Sequence, residues 1–401
     1  MAQDINPPRG MRDFLPAEKA KRERVLGLIR GVFSSFGFQE VETPSLENID
    51  RLTSGQGGDN EKLAYRVMKR GAELDSALEA KGDADSLADL GLRFDLTVPL
   101  TRFYATNRSS LPSVFKAIQM GPVWRAERPQ KGRYRQFVQC DIDIIGDDSV
   151  VAEVELISAT LATLQALGLG NSVIRVNHRT LLTTLISGFG VSSDGLGKAM
   201  IIIDKLDKIA AEGVVSELRE QFGDAVAEKA AAWLSSVDTS VIPEELKTLF
   251  GAVENGKLRF DPTLVRGMGY YTGAIFEIEH PESGLAIGGG GRYDGMVGRW
   301  LGTEVPAVGI SLGFERLVDL IEDLTKPEGV VLVMEDGSVD ILTKALAFQR
   351  ELIAKGMQVR LEVRPKRLNL LLDSMDDNGF SQFALVDANT NTLELKQIAK
   401  G

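Results

Sequence analysis

The sequence predicts an α+β chain of two domains, the first interrupted by a helical insertion and the second a small α/β unit. Three observations carry this. Strand-like and helix-like segments succeed one another through residues 16–178 and again through 264–323. Between them, about 179–257, the chain turns rich in Ala, Leu, Lys and Glu, which reads as an all-helical insertion. After Lys326-Pro327-Glu328-Gly329, a linker by composition, strand and helix periods alternate with short connections, the pattern of a largely parallel sheet. The domains are therefore expected at 1–325 and 329–401.

The elements follow in order. Pro16 suits a first helical turn, and Val25, Ile29, Val32 and Phe36 recur at helical spacing, so 16–36 is expected to be an amphipathic helix ended by Gly37. FQEVETP, 38–44, reads as a short strand stopped by Pro44. Residues 51–91 are polar and Gly-rich and read as a mobile loop with one helix near Glu73–Leu90. LRFDLTVPLTRFYA, 92–105, passes from strand to helix. A helix over 149–167 carries Val151, Val154, Ile157, Leu161, Leu164 and Leu167 and closes at Gly168. SVIRVNH, 172–178, is a strand. IIIDKLDKIAAEGV sits in the middle of the insertion. Strand texture returns at 264–280, Gly288–Gly291 lead into RYDGM, and 305–323 end in a helix with Phe314, Leu317, Val318 and Ile321. Beyond the linker come strand 330–334, helix 339–355, strand 359–363, helix 366–377 and strands 382–387 and 392–398.

Composition excludes several classes. At 401 residues, 43% hydrophobic and 26% charged, the chain is ordinary globular material. One cysteine, Cys140, rules out internal disulfides and fits a reducing compartment. With two histidines, His178 and His280, in unlike contexts, no His/Cys zinc site is expected. Any divalent metal would sit on carboxylates and a bound nucleotide, as magnesium does. The N-terminal MAQDINPPRGMRDF has no signal-peptide core, and no apolar run reaches membrane-spanning length. A formal net charge of −11 disfavours a general nucleic-acid binder.

Against that acidity one segment stands out. Within 125–135 lie Arg125, Arg128, Lys131, Arg133 and Arg135 against the single acid Glu127, a local charge of +4. Like charges so close repel one another and call for an anionic partner, polyphosphate or nucleic acid. Pro129 and Gly132 supply turn formers, and FKAIQMGPVW and QFVQCDIDIIG flank the run as strand-like arms. A strand–loop–strand with arginines on both arms can hold a phosphate chain. Three further segments place charge among apolar neighbours: Arg93-Phe94-Asp95-Leu96-Thr97, Arg266-Gly267-Met268-Gly269-Tyr270-Tyr271 and GISLGFER, 309–316. An unpaired charge there costs on the order of several kcal/mol. Gly288–Gly291 has neither the P-loop nor the dinucleotide-fold register and reads as a turn or close strand packing.

Together and in this order these segments resemble the class II aminoacyl-tRNA synthetases, and within them the histidyl-tRNA synthetase family, over nearly the whole chain. GFQEVETPSLE, 37–47, is similar to the first class motif, which builds a dimer interface around its proline, here Pro44. VWRAERPQKGRYRQF, 123–137, matches the second motif and VGISLGFERL, 308–317, the third. RGMGYY, 266–271, and GGGRYDGM, 289–296, look like the two histidine-specific motifs. The resemblance implies a catalytic core of antiparallel sheet flanked by helices and a C-terminal anticodon-binding-like domain. It implies a cytoplasmic homodimer whose substrates are L-histidine, ATP carried with Mg2+, and tRNA(His), with no zinc and no membrane.

It also implies residue roles. Arg125 would hold the α-phosphate, with Arg266 on its other side in place of the extra metal ion that related enzymes use. Arg133 and Arg316 would hold the β/γ end, Glu127 would read the adenine amino group, and Phe137 would stack on the ring. Asp95, Gln139 and Asp143 resemble the set that grips the α-ammonium, with Thr97 lining the same pocket. Tyr270 and Tyr271 would approach the imidazole, with Tyr293 nearby. Arg128, Gln130 and Lys131 would meet the tRNA acceptor end. The family usually has Glu where Asp95 and Asp143 stand, and Asp where Gly269 stands. The competing reading is a catalytically inactive synthetase-like regulatory subunit of ATP phosphoribosyltransferase, but such paralogues generally lose the phosphate-binding arginines, and this chain keeps Arg125, Arg133, Arg266 and Arg316.

Overall fold

The computed structural model describes residues 5–53, 58–83, 85–130, 132–266, 269–321 and 329–398. Lys131, Gly267, Met268 and the 326–328 linker lie outside the described residues. The chain forms two compact units. One holds Leu26–Ile321 with the residues up to Arg12, and the other holds Asp13–Val25 with the residues beyond Ile321.

The first unit is built on eleven strands: β1 (Gln39–Glu40), β2 (Leu46–Asn48), β3 (Tyr65–Met68), β4 (Ala88–Leu92), β5 (Phe115–Trp124), β6 (Gln136–Ile145), β7 (Val173–His178), β8 (Leu258–Phe260), β9 (Ala274–Glu279), β10 (Gly288–Arg292) and β11 (Ala307–Gly313). Eight of them form one sheet in the order β1-β5-β6-β11-β10-β9-β7-β8. Every pair from β5 to β7 is antiparallel, and only the edge pairs β1–β5 and β7–β8 are parallel. This is the α+β class II synthetase-like architecture the sequence led us to expect. At its centre β6 is buried from Gln139 to Ile145, so a strand with both faces covered carries polar residues inside the body.

The helix expected at 16–36 is Pro16–Ser35, and the chain leaves it through Gly37 at φ +82°, the left-handed conformation glycine adopts freely. The strand expected at 38–44 shrinks to Gln39–Glu40 because Thr43 is occupied elsewhere. Its hydroxyl and carbonyl both bond to Arg93, and the hydroxyl also meets Gln119. The 51–91 stretch is not a loop with one helix. β3 and β4 pair there with β2 in a three-stranded sheet, and the helix is the shorter Ala72–Glu79. Gly91 hides β4 from a propensity reading, yet a Cβ at Gly91 would lie 2.9 Å from Leu52 and 3.0 Å from the Tyr65 carbonyl.

The helix Val150–Ala166 covers the sheet; Ile157 and Leu164 are buried as expected, the buried stripe also takes in Ala152, Glu153, Leu156, Ala159, Thr160 and Thr163, and Val151 is exposed. Small residues let the helix lie close, and the threonine hydroxyls return to Leu156 and Ala159 carbonyls. Glu153 is there to meet Arg292 of β10 in a two-pronged ion pair, both contacts at 2.6 Å. The insertion is helical as expected: Arg179–Phe189, Leu196–Ile203, Leu206–Phe222, Asp224–Leu234 and Glu244–Ala252. Leu206–Phe222 is broken at Ala210, whose φ is +56°, so IIIDKLDKIAAEGV is not one helix. The 264–280 segment becomes strand only at Ala274.

The second unit has a four-stranded sheet. β12 (Gly329–Met334) lies between parallel β13 (Gln358–Val363) and β14 (Phe380–Val386), and β15 (Lys396–Gln397) pairs antiparallel with β14. Every residue of β12 is buried. Val330 and Leu332 pack with Ile341, Ala345 and Leu352 of the helix Val339–Ala354. Val331 and Val333 pack on the opposite face with Met375 and Phe380. A continuous apolar strand between two layers is what a parallel α/β sheet requires.

Candidate active site

The basic segment is the tip of the β5–β6 hairpin, whose arms pair in register from Phe115–Ile145 to Trp124–Gln136. Past the arms, Arg125 N–H donates to the Arg135 carbonyl, and Gln130 and Arg133 close the tip through reciprocal backbone bonds of 3.2 and 2.9 Å. The N-terminal segment supports the tip. Arg135 N–H donates to the Gly10 carbonyl, and Gly10 sits at φ +83°. Arg12 lies with its guanidinium 3.6 Å from the Tyr134 ring centroid and is ion-paired with Glu315.

Between this hairpin and β9–β11 lies a cavity of about 380 Å3. Its walls bring together Asp95, Thr97, Arg125, Glu127, Arg133, Phe137, Gln139, Asp143, Arg266, Tyr270, Tyr271, Tyr293 and Arg316, residues that in sequence span 95 to 316. Arg128 and Gln130 are exposed on the hairpin tip and are not part of the wall.

One end of the cavity is a set of buried acceptors. Asp95 follows β4, and its Oδ1 accepts the Val98 N–H at the start of the helix Thr97–Asn107. Burial raises this carboxyl to about 6, opposed by the Val98 bond and by Arg125. Gln139, Asp141 and Asp143 alternate along β6 and so share its cavity face. Asp143 accepts the Tyr293 hydroxyl at 2.5 Å, and burial raises its carboxyl to about 7 although that hydrogen bond pulls the other way. Asp141 is pushed well above the usual carboxylate range by burial and by Asp143. Asp95 Oδ2, Gln139 Oε1, Asp141 Oδ1 and Asp143 Oδ2 have no hydrogen-bond partner among the described residues. Four buried acceptors without a protein partner in one cavity suit a cation with several N–H donors.

Aromatic side chains close this end. Tyr270 and Tyr271 have ring centroids 4.7 Å apart, and Tyr270 meets Tyr293 edge-on at 6.1 Å. Burial raises all three phenols, so they remain neutral hydrogen-bonding groups.

The other end is cationic. Arg125 donates from Nε to the Phe94 carbonyl at 2.9 Å and lies 5.1 Å from the Phe137 ring centroid. Burial lowers its guanidinium, with Asp95 opposing. Arg266 contacts Glu277 of β9 at 3.2 Å, and Arg316 donates to the Ala286 carbonyl. Arg133 pairs loosely with Glu127 at 3.5 Å. A larger cavity of about 980 Å3 shares Arg133, Arg266, Ala286 and Arg316 with the first. On its wall Arg175 is bound by Asp261, Glu277 and Glu279.

The four glycines of β10 form the floor. A Cβ at Gly289 would lie 2.4 Å from Arg266 Nη1, one at Gly291 would lie 2.8 Å from the Tyr271 ring, and one at Gly290 would meet the Gly309 carbonyl at 1.9 Å. The sequence Gly288–Gly291 is thus close strand packing, with Arg266 against Gly289 and Tyr271 against Gly291 where the strand carries no side chains.

Some of the site escaped the sequence reading. Asp141 was legible through the period of two that already selected Gln139 and Asp143. Ser311 stands opposite Asp141 on β11. Glu315, inside the third motif, accepts the Val138 N–H at 3.1 Å besides binding Arg12. No local signal in PPRGMRDF announces that Arg12 reaches it. The two histidines do not enter the cavity. His178 Nδ1 accepts the Thr180 N–H at 3.2 Å and His280 Nδ1 the Glu282 N–H at 3.3 Å.

The arrangement can therefore take a zwitterion by its ammonium at one end and a polyphosphate at the other, with the carboxylate of the first brought beside the arginines. Comparison with known proteins agrees with it. The family model described as histidyl-tRNA synthetase matches residues 10–317. A histidine–tRNA ligase of Leifsonia xyli subsp. xyli is 55% identical over 98% of both chains. A probable histidine–tRNA ligase of Tropheryma whipplei is 41% identical over 96% of both. Among solved structures, the histidyl-tRNA synthetase of Nostoc sp. PCC 7120 superposes with a TM-score of 0.79 at 27% identity, covering 99% of this chain and 95% of that one.

Proposed function

We propose a residue-level reaction scheme from one premise: the chain belongs to the histidyl-tRNA synthetase family. Its activity is that of a histidine–tRNA ligase. A carboxylate oxygen of histidine attacks the α-phosphorus of ATP, the bond to the β-phosphate oxygen breaks, and pyrophosphate leaves. A terminal ribose hydroxyl of the tRNA then attacks the carbonyl carbon of histidyl-adenylate, losing its proton as AMP departs with the bonding pair.

Such a displacement needs positioning and charge neutralisation more than covalent help from the protein. In our reading Arg125 and Arg266 flank the α-phosphate, where negative charge builds in the transition state. Arg133 and Arg316 take the β/γ end, Phe137 stacks on adenine, and Glu127 reads its amino group. Magnesium enters on the phosphates of ATP as part of that substrate. Asp95, Gln139 and Asp143 receive the α-ammonium beside Thr97, and Tyr270, Tyr271 and Tyr293 face the imidazole. A pocket whose own acceptors are stranded without their partner rejects apolar amino acids strongly. The single observation that supports this assignment is the pairing of four unsatisfied acceptors with four arginines, Arg125, Arg133, Arg266 and Arg316, in one cavity.

Arg128, Gln130 and Lys131 are assigned to the tRNA acceptor end. The C-terminal unit is assigned to the anticodon arm, with Arg364, Lys366 and Arg367 as its basic cluster. Assembly as a homodimer about Pro44 and a cytoplasmic location belong to the same proposal. No described helix is long and apolar enough to cross a membrane. The regulatory-subunit reading is set aside, since the relative at 55% identity is named a histidine–tRNA ligase and that at 41% a probable histidine–tRNA ligase. The test is ATP–pyrophosphate exchange with each amino acid in turn. Exchange with histidine alone is expected, and exchange with a different amino acid would overturn the assignment of the pocket.

A further inference from the structure

The amide of Gln139 has one of two orientations, and the groups around it select one. Its Nε2 donates to Ser311 Oγ at 2.9 Å and approaches Asp141 Oδ2 at 3.4 Å. Its Oε1 is buried without a hydrogen-bond partner among the described residues. Ser311 faces Asp141 across the β6–β11 pair. Turned over, the amide would set its carbonyl oxygen against Asp141 Oδ2, an acceptor against an acceptor once a bound ammonium lets the Asp141 carboxyl ionise.

We propose that Asp141 is a positioning residue for amino-acid recognition: with Ser311 it holds the Gln139 amide nitrogen toward β11, so that the Gln139 carbonyl oxygen is presented to the substrate's ammonium group. Gln139 makes the contact, and Asp141 acts through it. The geometry supports this in two ways. Gln139 and Asp141 are both more than nine-tenths buried, so water cannot take over the role of either neighbour. The Gln139 residue lines the same cavity as Asp95 and Asp143, whose Oδ2 atoms are also unpartnered among the described residues, so the cavity holds three open acceptors for an ammonium with three N–H donors to offer. The inference rests on the assignment of this cavity end to the amino-acid ammonium.

Asp141→Asn keeps shape and volume but gives the amide a partner that can donate as well as accept, so both orientations of Gln139 become satisfiable. The test measures ATP–pyrophosphate exchange in the full-length protein for the wild type, Asp141→Asn, Gln139→Ala and the double variant. The expected result is a KM for histidine raised about tenfold by Asp141→Asn, a hydrogen bond to a charged group being worth that much, with the KM for ATP within about twofold. The double variant is expected to be no worse than Gln139→Ala alone, because a residue acting through Gln139 has nothing left to act on. Multiplying effects in the double variant would overturn the proposal, as would an equal rise in both KM values or an unchanged KM for histidine. If Asp141→Asn does not fold by thermal melting, Ser311→Ala, which removes the other anchor, is read by the same criteria. Failure of the cavity assignment itself is separate: it would appear as wild-type exchange that does not depend on histidine.

Discussion

Gly309 stands opposite Asp143 across the β6–β11 pair, and a methyl group on its Cα would lie 2.0 Å from Asp143 Oδ1. The backbone there is outside the left-handed region, so alanine would bring crowding and no conformational strain. Asp143 cannot easily retreat, because the Tyr293 hydroxyl holds that same oxygen. Gly309→Ala is therefore expected to raise the KM for histidine by at least about tenfold, the loss of one charged hydrogen bond. Thermal stability should change little by comparison, and exchange kinetics against melting separate the two.

Asp143 also makes stability depend on pH. Its carboxyl, ordinarily near 3.8, is raised to about 7 by burial. Between those values the folded chain keeps a proton that the unfolded chain has lost, so this group's contribution to stability falls as pH rises and its full cost stands above about 7. Asp143→Asn removes the charge and leaves Tyr293 an acceptor. The ligand-free variant is expected to melt above the wild type at pH 8, with the difference shrinking steadily as pH falls from about 7 toward 3.8, while histidine-dependent exchange is lost. A variant advantage that grows on acidification would contradict the assigned cause.

The sequence made the hairpin legible because its arms are uninterrupted strands and its charges are clustered between them; the first arm appears as expected, Phe115–Trp124, and the second, Gln136–Ile145, stops one residue short of the expected Gly146. Asp95, Arg125, Arg266 and Arg316 were legible because charge among apolar residues is anomalous wherever it stands. The three-stranded sheet β2–β4 was not, since β3 alternates between half-buried and exposed and β4 carries a glycine needed for close packing. The Arg12–Glu315 pair was not either, because it joins positions 303 residues apart and no local pattern encodes such a meeting. Asp141 was missed for a different reason: the strand period pointed to it, but only the resemblance was used to choose among the residues of that face.

Arg266 lies 3.2 Å from Glu277 and against Gly289. With its place beside the α-phosphate as proposed, Arg266→Ala is expected to slow adenylate formation by about 10²–10³, or about 3–4 kcal/mol of transition-state stabilisation. Arg266→Lys should recover little of this, since an ammonium cannot reproduce the planar fork held between Glu277 and the phosphate. Near-normal pyrophosphate exchange in the alanine variant would remove Arg266 from its role.

Arg12 joins the N-terminal segment to two residues of the cavity wall at once, Glu315 and Tyr134. Arg12→Ala takes one cation from the buried Glu315 carboxylate, which also accepts the Val138 N–H, and removes the contact with the Tyr134 ring. The expected outcome is a KM for ATP raised several-fold with the KM for histidine nearly unchanged, because Asp95, Gln139 and Asp143 have no contact with Arg12. A rise confined to histidine would show that the segment supports the other end.

The exposed tip carries the last prediction. Arg128 stands outside the cavity wall, so its charge is free for a partner larger than ATP. A cation that neutralises a tRNA phosphate displaces condensed counterions, and its removal lowers the slope of log affinity against log salt by about 0.7–0.9 per contact. Arg128→Ala and Lys131→Ala are therefore expected to slow transfer to tRNA and flatten its salt dependence, while ATP–pyrophosphate exchange stays within about twofold of the wild type. Single-turnover transfer from preformed adenylate isolates that step. Equal losses in both half-reactions would mean that the tip serves ATP, and that its charge is concentrated for the first substrate alone.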